Sequence, residues 1–191
     1  MENNGYCVDI DLNLDLDLEV LRLVKNQHTA TDKPKQFAIK LHEYDKGLQF
    51  VLRQFGLDIK HGEIFYSPPG YELPIHIDDK HQGRNHSKLN WVFGAPGSVM
   101  QWWSTKSGYQ PEKKTTEIGT TYFLFDKQQC NILGEAAIGQ PSLVNVGIPH
   151  SVVNNTDQGR WCVSYMLREK DTTQNLQWDV AVHKFASLAQ R

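Results

Sequence analysis

Apolar and polar residues alternate along the opening segment, where Val8, Ile10, Leu12, Leu14, Leu16 and Leu18 are separated by Asp or Asn. A period of two predicts a half-buried strand, while the tail from Leu18 to Val24 leaves a helix as the alternative. Residues 44–56 read as a short amphipathic helix stopped by Gly56. From there to about residue 168 the pattern is β. Strands are predicted over Ile59–Tyr66, Leu73–Asp78, Lys88–Phe93, Ser98–Ser104, Thr115–Phe125, Ser142–Val146, Ser151–Val153 and Arg160–Leu167. Between them lie turn signals at Ser67-Pro68-Pro69-Gly70, Gly94-Ala95-Pro96-Gly97 and Asn154–Gly159. A second helix is expected over Leu176–Leu188. Many short strands with helices at the two ends predict a mainly β protein, with a jelly-roll core over about 59–168 and flanking helices that brace one sheet face.

Length and composition narrow the class. At 191 residues the expectation is one domain over 1–191, able to bury a core without staples. Hydrophobic residues make up 39% and charged residues 22%, as in soluble globular chains. The net charge of −2 offers no basic field, so neither nucleic acid nor an anionic membrane is an expected partner. Three cysteines, Cys7, Cys130 and Cys162, include no close pair, which predicts buried reduced thiols. The opening MENNGYCVDI carries no basic segment followed by an apolar run, and no stretch has the length to cross a bilayer. A cytoplasmic location is therefore expected, and Asn154-Asn155-Thr156 reads as a turn rather than a glycosylation site. The alternating acids from Asp9 onward do not make a calcium loop, because Leu14 and Val20 stand where such a loop needs Gly and Glu.

The chemistry begins at Pro74-Ile75-His76-Ile77-Asp78. On a strand, residues i and i+2 share a face. His76 and Asp78 therefore aim together into the barrel, and Ile75 and Ile77 face the opposite layer. Imidazole and carboxylate placed this way can take two adjacent positions on one metal ion. His150, in Gly147-Ile148-Pro149-His150, is the best third ligand. Two His and one carboxylate on one side of an ion leave three positions open, an arrangement suited to non-haem Fe(II). Arg160 follows His150 by ten residues across a predicted hairpin. Its planar fork suits a carboxylate, and Ser164 shares its face. A solvated charge at the end of a polar turn is the plainer reading of Arg160.

The ordered set His76, Asp78, His150, Arg160 resembles the Fe(II)- and 2-oxoglutarate-dependent oxygenases, whose pattern is H-x-D…H with a downstream Arg. Within them it is most similar to the aspartyl/asparaginyl β-hydroxylase-like and proline-hydroxylase-like branch, which often carries Arg-x-His after the first metal motif. Here that motif is Arg84-Asn85-His86. The similarity covers roughly residues 60–168. Two departures stand out: the downstream Arg lacks an Arg-x-Ser form, and Asp78 is kept where the hydroxylase of epidermal-growth-factor domains has no metal carboxylate. The resemblance implies a double-stranded β-helix (jelly-roll, cupin-like) core and Fe(II) held by His76, Asp78 and His150. It implies 2-oxoglutarate held by Arg160, with Ser164, Arg84 and His86 as further co-substrate contacts. The implied reaction consumes O₂, converts 2-oxoglutarate to succinate and CO₂, and hydroxylates a C–H bond of a small molecule or an amino-acid or peptidyl side chain.

Two other classes stay open on the sequence: a metal-dependent cupin enzyme that does not use 2-oxoglutarate, and a non-catalytic β-domain with a relic site. Several residues also keep paired readings. His81 is expected to be exposed. His86 reads as a co-substrate contact or a loop histidine, and Asn90 as a pointed or purely structural hydrogen bond. One of Trp102 and Trp103 is expected in the core and the other near the pocket. The polar segment Ser104–Thr116 reads as a lid or a plain connection.

Overall fold

A computed structural model describes residues 5–12, 14, 31–78, 85–116, 119, 121–138 and 141–189. Its described strands form two six-stranded antiparallel sheets. The first sheet contains β1 (Cys7–Asp9), β2 (Lys35–Ile39), β3 (Leu57–Ser67), β5 (Ser87–Phe93), β10 (Ser142–Asn145) and β12 (Arg160–Glu169), in the order β1-β10-β5-β12-β3-β2. The second contains β4 (His76–Ile77), β6 (Val99–Thr105), β7 (Glu112–Thr115), β8 (Thr121–Leu124), β9 (Cys130–Ala137) and β11 (His150–Val153), in the order β7-β8-β4-β11-β6-β9. Leaving aside β1, β2 and the β7–β8 hairpin, the chain crosses between sheets at almost every step. The resulting orders, β10-β5-β12-β3 and β4-β11-β6-β9, are those of a double-stranded β-helix.

The alternation of side chains divides the core into layers. Trp161, Val163 and Tyr165 of β12 and Leu89 and Trp91 of β5 point outward from the first sheet. There they pack against Leu48 and Leu52 of α1 (Lys46–Gln54) and Trp178 and Ala181 of α2 (Trp178–Lys184). Helix α1 starts at Asp45, whose Oδ1 accepts from Leu48 N at 2.6 Å, and stops at Gly56, which has φ +67°. The helices thus brace one sheet face, as their place at the two ends predicted. Between the sheets lie Val92, Met100, Trp102, Val144, Val152, Cys162 and Met166. Ile75, Ile77, Trp103, Phe125 and Cys130 cover the outer face of the second sheet.

Four sequence expectations change. Thr115–Phe125 is not one strand: β7 and β8 form a hairpin, with Thr116 O accepting from Gly119 N at a glycine with φ +86°. Leu73–Asp78 contains only the two-residue β4, although Leu73 N still donates to Val152 O. Two strands were not anticipated: β2, and β9 at an edge of the second sheet. Within the opening run β1 is a strand, whereas the tail from Leu18 to Val24 lies outside the described residues. The segment after β6 is neither a simple lid nor a plain connection, since β7 occupies its end. Among the described residues, no helix is long and apolar enough to cross a membrane.

Candidate metal centre

Two strand pairings assemble the site. His150, at the start of β11, lies opposite His76 of β4 on one side and Trp102 of β6 on the other. Directly opposed residues in an antiparallel pair share a face, so both imidazoles enter the space between the sheets. Asp78 follows β4 immediately and joins them. Donor atoms of His76, Asp78 and His150 all lie within 4.8 Å of one another. Asp78 Oδ1 is 3.1 Å from His76 Nε2, and Oδ2 is 3.8 Å from His150 Nε2. The side chains of His76 and Asp78 keep 13% and 18% exposure, which leaves the cluster one open side. Tyr122 of β8 stands edge-on to His76 there.

The hydrogen bonds set the tautomers. His76 Nδ1 lies 2.9 Å from Pro74 O, and His150 Nδ1 lies 2.9 Å from Ile148 O. A carbonyl oxygen only accepts, so each Nδ1 donates and each Nε2 turns toward Asp78. Lone pairs from two imidazoles and a carboxylate cannot face one another at these distances without a proton or a cation between them. Metal–nitrogen and metal–oxygen bonds of about 2.0–2.2 Å, set at right angles, place adjacent donors about 3 Å apart. The His76 Nε2–Asp78 Oδ1 separation of 3.1 Å meets that value, and His150 Nε2 stands wider, 3.8 Å from the other carboxylate oxygen. The donor set therefore fits a divalent ion that accepts mixed nitrogen and oxygen ligands. Burial, with the neighbouring His76, pulls His150 down to about 3 from 6.5, so its ring is neutral and ready to ligate. Burial alone would raise the Asp78 carboxyl. Lys88, followed by the two histidines, instead holds it well below the usual carboxylate range.

Lys88 and its partner Glu63 were not anticipated as part of the site. Lys88 Nζ is 2.9 Å from Asp78 Oδ2 and 3.1 Å from Glu63 Oε2, and both residues are buried. The available signal was local: charged residues at inward positions of strands otherwise packed with apolar side chains.

Arg160 begins β12 opposite Ser67 and is 3% exposed. It is therefore no solvated hairpin charge. Its Nε has no hydrogen-bond partner, and among the described residues no carboxylate lies within ion-pairing distance. Burial lowers its pKa from the ordinary value, with Cys162 acting in the opposite direction. The hairpin that carries it is pinned by Asn154, whose buried amide donates to Ser67 O, Pro68 O and Gln158 O at 3.2, 2.9 and 2.8 Å. The sequon there is thus an internal strut of the turn. Ser164 shares the inward face, and its hydroxyl donates to Asn90 Oδ1 at 2.6 Å, which settles the Asn90 contact.

His86 is buried with its Nδ1 3.4 Å from Gln177 Nε2, where β5 meets α2. It is not among the donors that gather around Asp78. Arg84 and His81 lie outside the described residues. Trp102 is fully buried between the sheets and donates to Asn145 O, while Trp103 faces outward and donates to Ser151 Oγ. Cys7, Cys130 and Cys162 are all buried, as expected.

No family model matches the sequence, and no curated protein sequence matches it. Among solved structures, a 2OG-Fe(II) oxygenase family oxidoreductase from Burkholderia pseudomallei is 12% identical, with a TM-score of 0.43 over 83% of each chain. EvdO2 from Micromonospora carbonacea var. aurantiaca, complexed with 2-oxoglutarate, is 12% identical, with a TM-score of 0.42 over 84% of this chain and 85% of that one. An oxalate oxidase in complex with glycolate is 10% identical, with a TM-score of 0.35 over 78% of this chain and 57% of that one. These likenesses are too distant to bear on chemistry; strand order identifies the fold.

Proposed function

We propose that this protein is an Fe(II)- and 2-oxoglutarate-dependent dioxygenase that hydroxylates a C–H bond of a small molecule or of an amino-acid or peptidyl side chain. The observation that carries the reading is the buried Arg160, without an anionic partner among the described residues, on the inward face of β12 in the sheet that faces the strands of His76 and His150. Burying an unpaired charge is costly, and a dicarboxylate with one end on the metal would supply the missing anion. Bound Fe(II) would supply O₂ activation coupled to conversion of 2-oxoglutarate to succinate and CO₂.

The chain's own residues have simpler tasks. His76, Asp78 and His150 would hold the ion. Arg160 would orient the far carboxylate through its planar fork. Val92, Met100, Trp102 and Met166 keep the space between the sheets dry. The motif Arg84-Asn85-His86 supports placement near the aspartyl/asparaginyl and proline hydroxylases.

Anaerobic Fe(II) titration with and without 2-oxoglutarate tests the proposal. A weak visible charge-transfer band should require both components and should vanish in His76→Ala. Identical behaviour of native and variant protein would refute it. A metal-dependent enzyme that does not use 2-oxoglutarate would bind Fe(II) but give no such band.

A further inference from the structure

Glu63 and Lys88 form a buried ion pair on the inward face of the first sheet. Both belong to the first sheet, and Lys88 reaches from β5 to Asp78 beside β4 of the second. One N–H of Lys88 goes to Asp78 Oδ2 and another to Glu63 Oε2, while its ammonium lies 5.3 Å from the Phe65 ring centroid. Glu63 is itself braced, because its Oε1 accepts from Gln36 Nε2 at 2.7 Å and faces His61 Nε2 at 3.2 Å. The lysine therefore has little freedom.

Buried ion pairs rarely add net stability over apolar side chains of the same volume. A pair ending on a metal-ligand carboxylate instead points to control of that ligand. A carboxylate can offer one oxygen or two, and two would consume a coordination position that a chelating co-substrate needs. Lys88 occupies Oδ2 at 2.9 Å, whereas Oδ1 turns to His76 at 3.1 Å. His150 Nε2 approaches Oδ2 only to 3.8 Å.

We infer that Lys88, braced by Glu63, is a positioning residue that occupies Asp78 Oδ2 and restricts the carboxylate to coordination through Oδ1, keeping a metal position open for the co-substrate. The inference rests on the proposed metal centre.

Co(II) serves as a stable spectroscopic probe of coordination, titrated anaerobically into native protein, His76→Ala, Lys88→Met, Lys88→Arg and the double variant Glu63→Gln/Lys88→Met. The double variant removes both buried charges and carries the test if Lys88→Met alone does not fold. The expected result has three parts. The folded Lys88→Met and double variants still bind Co(II), with a ligand-field spectrum different from native. They need at least about tenfold more 2-oxoglutarate to perturb it, a change of about 1.4 kcal/mol. Lys88→Arg moves both readouts back toward native. A native spectrum and native 2-oxoglutarate titration in the folded double variant would overturn the inference, leaving Lys88 as a folding ion pair. Loss of Co(II) binding in that folded variant would also overturn it, because Lys88 would then build the site rather than set its mode. Failure of the metal reading is distinct: native protein would show no Co(II) signal that His76→Ala removes.

Discussion

Replacing Arg160 with Met separates an anchor for a ligand from a residue of the fold. The side chain is 3% exposed, Nε has no partner, and among the described residues no carboxylate neutralises the guanidinium. Each buried donor left without a partner costs about 1–3 kcal/mol. Met keeps much of the aliphatic volume and brings no charge. Protein without co-substrate should therefore gain about 1–3 kcal/mol in Arg160→Met, offset in part by loss of the Cys162 contact. For a chain of this size each kcal/mol moves Tm by about 2–4 °C, so the melting curve should shift upward by several degrees. The co-substrate should respond in the opposite sense. Two hydrogen bonds from a charged donor, each worth about 1.5–3 kcal/mol, amount to a loss of at least about 3 kcal/mol, or more than about a hundredfold in 2-oxoglutarate affinity. Fe(II) affinity should change far less, because Arg160 is not among the clustered donors. The assays are thermal unfolding followed by circular dichroism and anaerobic co-substrate titration. A variant that melts below native protein would show that the guanidinium is satisfied within the fold. A variant that melts higher yet binds 2-oxoglutarate normally would remove Arg160 from the co-substrate site.

Two further outcomes follow from the same geometry. Burial raises the Glu63 carboxyl, but Lys88 and then His61 bring it down to about 2 from 4.5, so its stabilisation is present above about pH 4.5 and is lost as pH falls toward 2. The full effect is on the order of 3 kcal/mol; urea denaturation at pH 6 and pH 3 should show a smaller acid loss in Glu63→Gln/Lys88→Met, and equal losses would contradict the assignment. Gly94→Ala should destabilise by about 2 kcal/mol or more, since φ is +73° and the added Cβ would meet Gly159 O at 2.5 Å, at the base of the hairpin that carries Arg160; a chemical-denaturation midpoint equal to native would refute that clash.

Much of the β core was legible in the sequence because half-buried strands carry their own signature. Strand β5 with Leu89 and Trp91 outward, and β12 with Trp161, Val163 and Tyr165 outward, repeat every second residue. Edge strands lack that signature. Strand β9 is largely exposed and β2 is only partly covered, so neither shows a clean apolar alternation. The β7–β8 hairpin reads as one strand in the sequence because threonines and aromatics favour extended backbone on both sides of a turn whose signal is Gly119.

The candidate site divides along the same line. His76 and Asp78 are two residues apart, so strand geometry alone puts them on one face. The sequence by itself determined that pair, the inward face shared by Arg160 and Ser164, and the apolar layer behind Ile75 and Ile77. Only the tertiary structure placed His150 opposite His76, because cross-strand register depends on how distant segments pair. It alone decided that Arg160 is buried without a carboxylate partner among the described residues, since a charge at a hairpin end reads the same in solvent or under a sheet. It also joined Lys88 and Glu63 to Asp78 across two sheets. That contact depends on the separation and stacking of the sheets, which no local periodicity encodes.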